Sequence, residues 1–185
     1  MFSDAYYRIV ENGKRYHNTT KSWNGLHSIR YAKKIKALVE KHDAKSLLDY
    51  GCGKGYQYTK DVEWEPGVVT TLDKYLGVNQ VEKFDPCWPE FDRYPSLDKK
   101  YDGVILIQCL GFIPDDDLIV LRQHLETLST KFCYIGELQS SVNADIKPKK
   151  LKLVEPDKCT IGRSADWYRE RFSNWNGPEL TFDFI

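Results

Sequence analysis

Asp49-Tyr50-Gly51-Cys52-Gly53-Lys54-Gly55 sets one acid and then three glycines on alternate positions, directly after the apolar pair Leu47-Leu48. Glycine lets the backbone take positive φ values and brings the main chain within contact distance of a ligand. The spacing is G-x-G-x-G, which differs from the G-x-G-x-x-G that opens a helix beneath a dinucleotide pyrophosphate. A cofactor without phosphates fits it better. The contact candidates here are Asp49, Gly51, Cys52, Gly53 and Gly55. Tyr56 joins them as the first residue of an expected helix over Tyr56-Gln57-Tyr58-Thr59-Lys60, whose N-terminal amides would face whatever the glycines hold.

Two acids compete for a second contact to such a cofactor. Asp73 lies near the spacing of about 20 residues expected for the acid after a second strand. Asp85 requires a longer connection, but it ends the short strand candidate Val81-Glu82-Lys83-Phe84-Asp85, which Pro86 closes. Gln108 and Cys109 follow the clearest strand in the chain, Tyr101–Ile107. In open α/β sheets ligands sit outside the carboxyl ends of strands, so this tip should face the glycine loop. For a catalytic base the candidates are Glu137, at the tip of the strand 131–136, and His27. Glu137 has a competing role as a structural hydrogen-bond acceptor, and His27 reaches the pocket only if the N-terminal segment folds over it.

The elements that must position these residues alternate between strand and helix. Residues 1–27 are polar and aromatic without a clean period, and read as a short helix plus loop. They form a cap over the pocket with Tyr16 and Trp23 as walls, or an aromatic patch on an open face of the core. From Ser28 to His42 the apolar positions recur with helical period, and Ser28 is placed to cap the start. Pro66-Gly67 marks a turn, and Val68–Leu72 is a strand or an irregular crossing. Pro114 and the acids Asp115, Asp116 and Asp117 begin a helix with the stripe Leu118, Leu121, Leu125 and Leu128. The long connection 139–158 carries Lys147, Lys149, Lys150, Lys152 and Lys158, and is a basic lid or a solvated loop. Ser164 caps a helix through Phe172, and Leu180–Ile185 closes the chain as a strand.

At 185 residues the chain makes one domain, with 1–27 as the cap segment and 28–185 as the core. Lys+Arg and Asp+Glu both total 27, so the net charge does not indicate nucleic acid, although a local basic patch stays open. No apolar run approaches the roughly 18–20 residues that span a bilayer, and no signal peptide opens the chain. The five cysteines form no Cys-x-x-Cys pair, which points to a reducing cytoplasm, and the four histidines lack ligand spacing for a metal.

The alternation predicts a doubly wound, mostly parallel α/β sheet. With Asp-x-Gly-x-Gly-x-Gly behind a strand, the chain resembles the class I, Rossmann-like S-adenosylmethionine-dependent methyltransferases. The resemblance extends to a compact methyltransferase-domain group of phages and marine bacteria. It runs through Tyr75-Leu76-Gly77-Val78, Phe84-Asp85-Pro86, Tyr101–Ile105, Ile113–Leu118, Cys159-Thr160-Ile161 and Trp167-Tyr168. It implies that Gly51–Gly55 approaches the methionine part of S-adenosyl-L-methionine, that Asp85 rather than Asp73 takes the ribose, and that Pro86 and Cys87 lie near the adenine. Relative to that group the sheet is shortened between the second and fourth strands and at the C-terminus. Where the group has Asp-Val-Leu-Glu-His after its fourth strand, this chain has Gln108-Cys109-Leu110-Gly111-Phe112, and Lys158 replaces a histidine of the tail pattern. No Asn/Asp-Pro-Pro-Tyr/Phe motif for amino-methylation of DNA occurs. The expectation is a methyltransferase acting on a small molecule. Its alternatives are a binding protein that kept the cofactor site with a regulatory or partner-binding role, or an enzyme that degrades the cofactor.

Overall fold

The computed structural model describes residues 1–19, 23–137 and 163–185. Five strands form one parallel sheet: β1 (Ser46–Tyr50), β4 (Gln80–Phe84), β5 (Tyr101–Ile107), β6 (Ser129–Glu137) and β7 (Glu179–Phe184), in the order β4-β1-β5-β6-β7. Alternate side chains feed two cores. Leu48, Val104, Leu106, Cys133 and Ile135 pack with α1 (Asp4–Thr19), α4 (Leu118–Leu128) and α5 (Ala165–Arg171). Leu47, Ile105, Phe132 and Tyr134 pack with α2 (Ala32–Lys41) and α3 (Leu72–Leu76). Helices therefore cover both faces, which is why β5 and β6 read as nearly continuous apolar runs. The arrangement is Rossmann-like. No helix among the described residues is long and apolar enough to cross a membrane.

The chain leaves β1, enters β4 on one side, and then crosses to β5 on the other side of β1. The carboxyl ends of β1 and β5 thus flank the point where the winding reverses, the crevice at which open α/β sheets bind ligands.

Several local expectations are corrected. The segment after Gly55 makes only a 3-10 turn, Tyr56–Tyr58, instead of a helix. Gln57 and Tyr58 turn inward and bond to Asp49, so their side chains serve the strand tip. The chain then forms a separate antiparallel hairpin, β2 (Val62–Glu65) with β3 (Val68–Thr70), turning at Pro66-Gly67 as expected. Ser28 does not cap a helix. It lies inside a 3-10 turn, Leu26–Arg30, where its hydroxyl donates to the Gly25 carbonyl at 2.7 Å, and α2 begins four residues later. Asp115–Asp117 form a 3-10 turn that leads into α4 with no side-chain cap.

Asp117 serves another element. Its Oδ1 accepts the Ser3 N–H at 2.7 Å and its Oδ2 accepts the Ser3 hydroxyl at 2.6 Å. Ser3 also receives the Tyr6 and Tyr7 amides that open α1. One buried acid thereby fixes the start of α1 on the core. The helix is longer than the sequence indicates, and buries Tyr6, Val10, Gly13 and His17 along one stripe, with Phe2 buried just before it. Ser164 does cap α5, accepting the Trp167 N–H at 3.1 Å. The basic connection 139–158, with Lys158, and the Cys159-Thr160-Ile161 match lie outside the described residues.

Candidate functional site

A cavity of about 480 Å³ opens at the reversal point, within the size range of small-molecule sites. Its floor is the glycine loop, the tips of β4 and β5, and Glu137. Its roof is the inner face of α1, through Tyr6, Ile9, Val10, Gly13, Tyr16 and His17, together with Trp23–Gly25.

The glycine loop is folded by its own hydrogen bonds. The Gly51 and Cys52 amides donate to the Phe84 carbonyl at 2.6 and 3.0 Å, and the Gly53 amide to Asp85 Oδ2 at 2.8 Å. Lys54 donates to Trp23, Gly55 to Cys52 and Tyr56 to Asn24. Every amide from Gly51 to Tyr56 is thus engaged, so the loop holds no set of open N–H groups to cradle a phosphate. Its glycines serve the tight fold of the loop. Gly53 sits at φ +60°, and a Cβ there would lie 2.2 Å from the Trp23 carbonyl oxygen, so no other residue fits.

Asp85 joins the loop to the cavity. Besides Gly53, it accepts the Cys87 N–H at 2.8 Å through Oδ1. It is 7% exposed, and burial raises its pKa against the pull of these two amides. Each carboxylate oxygen keeps a lone pair for a ligand. Asp73 lies in the first turn of α3, away from the cavity lining. Between the two acids, only Asp85 faces the site.

Asp49 is buried at the tip of β1, where its Oδ2 accepts Gln57 Nε2 at 3.0 Å and the Tyr58 hydroxyl at 2.9 Å. Desolvation pushes its pKa up to about 6 despite those bonds, with a further contribution from Asp85. Glu137 is buried at the tip of β6, and its carboxylate receives the Leu110 N–H at 2.7 Å and the Cys109 N–H. Burial raises its pKa to about 7. It therefore holds the turn that follows β5, while its side chain borders the cavity. In that turn Gln108 takes φ +54°, and its N–H donates to the Gly136 carbonyl at 2.7 Å. Trp23 has the same φ of 54°. Non-glycine residues in this conformation are sparse and gather at functional sites.

Asp49, Gly51, Cys52, Gly53, Asp85, Pro86, Gln108, Cys109, Glu137 and His27 all border the one cavity. Gly55 and Tyr56 do not. The face of Gly55 where a Cβ would stand is covered by the Phe91 ring, and Tyr56 belongs to the turn outside the lining. His27 stands exposed in the 3-10 turn Leu26–Arg30, with its pKa lowered by burial of the ring and by Arg30.

Sequence reasoning missed His17. It is 1% exposed, with Nδ1 buried and without a hydrogen-bond partner among the described residues. Trp23 packs edge-on against its ring at 4.6 Å between centroids, and Trp88 lies at 5.8 Å. Its Nε2 stands 4.0 Å from Asp85 Oδ1. Desolvation, with the Lys54 charge, lowers its pKa to about 4, so the imidazole is neutral at pH 7. The available signal was its place eleven residues after Tyr6 and seven after Val10, on one helical stripe.

The electrostatics of the lining are one-sided. Among the described residues it contains three carboxylates, Asp49, Asp85 and Glu137, and no lysine or arginine. The acids of the lining disfavour a polyanion, while a neutral or cationic ligand escapes that repulsion. Aromatic rings add to this preference on the roof side, where Trp23 meets Tyr16 at 4.8 Å and Phe112 at 5.0 Å.

No protein-family model, curated protein or solved structure matches the chain.

Proposed function

We propose that this chain is an S-adenosylmethionine-dependent methyltransferase whose acceptor is a small molecule. The observation that carries the reading is Asp85, a buried carboxylate at the tip of β4 that is tied to the glycine loop by the Gly53 amide and borders the cavity. A carboxylate with open lone pairs is a natural partner for the two hydroxyls of a ribose. The acidic lining, free of lysine and arginine among the described residues, suits a ligand bearing a sulfonium, and the occupied loop amides disfavour a dinucleotide.

When bound, S-adenosylmethionine supplies an electrophilic methyl group on a positively charged sulfur. The residues of this chain would do the rest by placement. Gly51 and Gly53, both at positive φ, let the loop fold tightly against Cys109 and Trp23 and bring its main chain to the cavity wall. Asp85 orients the sugar, and the tips of β1 and β5 fix the reacting end at the sheet's reversal point. The α1 roof with Tyr16 and Trp23 excludes water and holds the acceptor in place, which supplies most of the advantage in a transfer needing little proton chemistry. Glu137, poised near neutrality, is the candidate to take a proton from the acceptor, with His27 at the rim as the second candidate.

Calorimetry of the full chain with S-adenosylmethionine and S-adenosylhomocysteine tests the reading. Saturable binding of both is expected, and absence of heat and of thermal stabilisation with either overturns it. A second reading is favoured by Glu137, whose carboxylate is already engaged by the Cys109 and Leu110 amides, and by Gln108 in place of an acid. Under it the protein binds the cofactor for a regulatory or partner-binding role. Turnover to S-adenosylhomocysteine with any acceptor would exclude that alternative.

A further inference from the structure

We infer that His17 and Asp85 form a two-sided clamp for a ligand hydroxyl, with α1 supplying a hydrogen-bonding group that completes the sugar site from above. This rests on the adenosyl ligand proposed above, and adds to it a residue from outside the sheet. The argument begins with the gap between the two side chains. His17 Nε2 and Asp85 Oδ1 are 4.0 Å apart, too far for a direct hydrogen bond. The gap is wide enough for an oxygen placed to one side to lie within hydrogen-bond distance of both. Both residues border the same cavity, so such an oxygen can arrive on a ligand.

The protonation states match that role. A neutral imidazole has one N–H and one bare nitrogen, and an ionised carboxylate only accepts. The carboxylate beside Nε2 favours the tautomer with its hydrogen there. A hydroxyl in the gap would then accept from His17 Nε2–H and donate to Asp85 Oδ1. On its other sides Asp85 is engaged by the backbone of Gly53 and Cys87. The imidazole is also held in position. Trp23 and Trp88 pack its ring, and a Cβ on the neighbouring Gly13 would stand 3.5 Å from Trp23 and 2.4 Å from Cys87 Sγ. The glycine therefore lets α1 approach the Asp85-Pro86-Cys87 segment closely enough to bring His17 into play. Nε2 is the ring nitrogen that stands beside Asp85 at the cavity, so the clamp runs through Nε2 and makes no use of Nδ1.

The test compares S-adenosylhomocysteine with its 2′-deoxy and 3′-deoxy analogues by calorimetry. The wild-type chain should bind one deoxy analogue at least about tenfold more weakly than the parent. His17→Phe should weaken the parent by about tenfold while leaving that analogue unchanged, so that the preference disappears. His17→Gln, which keeps an N–H near the Nε2 position, should restore part of the preference. A structural role would weaken all three ligands equally, and that result overturns the clamp, as does an unchanged preference in His17→Phe. Should His17→Phe not fold, the ¹⁵N signals of His17 in the wild-type chain decide. A shift at Nε2 with the parent and none with the discriminated analogue is expected, and identical shifts overturn the clamp. If the wild-type chain binds none of the three, the adenosyl reading falls and the clamp with it. If it binds them without a His17-dependent preference, only the clamp falls.

Discussion

Asp85 Oδ2 accepts the Gly53 amide at 2.8 Å, so the acid at the tip of β4 and the glycine loop after β1 are a single unit. The acid shapes the loop that it shares the site with. Asp85→Asn must present its NH₂ to either the Gly53 or the Cys87 amide, placing donor against donor. We expect a loss of about 1–3 kcal/mol in stability and a fall in S-adenosylhomocysteine affinity of tenfold or more. Asp73→Ala, in α3 and outside the lining, should leave the affinity unchanged. Denaturant titration and calorimetry on the two variants check both statements, and equal effects on affinity would remove the assignment.

How much of this was legible in the sequence depended on where side chains point. β5 and β6 are covered on both faces, so their apolar runs announced themselves. The Leu118–Leu128 stripe did the same for α4. The roof helix did not. Its buried stripe contains Gly13 and His17, a small residue and a polar one, so the period of α1 faded at the positions that border the site. The glycine motif correctly marked the turn after β1, but the helix expected to follow it is absent. Gln57 and Tyr58 are recruited inward by Asp49, a tertiary demand that no local propensity records. The choice between Asp73 and Asp85 likewise turned on the β2–β3 hairpin, which lengthens the path to the second strand of the sheet.

Glu137 and His17 should tilt the stability profile in opposite directions. The folded-state pKa of Glu137, about 7, lies above its ordinary value of 4.5. The fold therefore binds this proton more tightly than the unfolded chain does. Its contribution is fully present below pH 4.5 and is lost as pH rises through 7, by about 3 kcal/mol. The folded-state pKa of His17, about 4, lies below its ordinary 6.5. Its contribution is fully present above pH 6.5 and is lost as pH falls through 4. Urea denaturation from pH 4 to 8 reads the difference between the wild-type chain and each variant. The wild-type advantage over Glu137→Gln should shrink as pH rises, and the advantage over His17→Phe should grow. Parallel profiles would mean that neither group titrates as its burial requires.

The Ser3–Asp117 pair predicts that ligand affinity can be lost from a point outside the cavity. Asp117 borders no part of the pocket, yet it receives both the amide and the hydroxyl of Ser3, which in turn receives the first amides of α1. Ser3→Ala removes the hydroxyl donor and the helix-capping oxygen together, leaving one oxygen of a buried carboxylate without its partner. A loss of about 1–2 kcal/mol is expected. The loss should be local. Hydrogen exchange should quicken first in the opening turns of α1, while amides of β5 and β6 keep their protection. Because Tyr6, Val10, Gly13 and His17 lie on the same helix, a loosened start raises the population of molecules with the roof displaced. S-adenosylhomocysteine should then bind more weakly by the fraction of molecules so displaced, and saturating ligand should recover α1 protection. Uniform acceleration of exchange across the sheet would show instead that Ser3 contributes to global stability with no special hold on the roof.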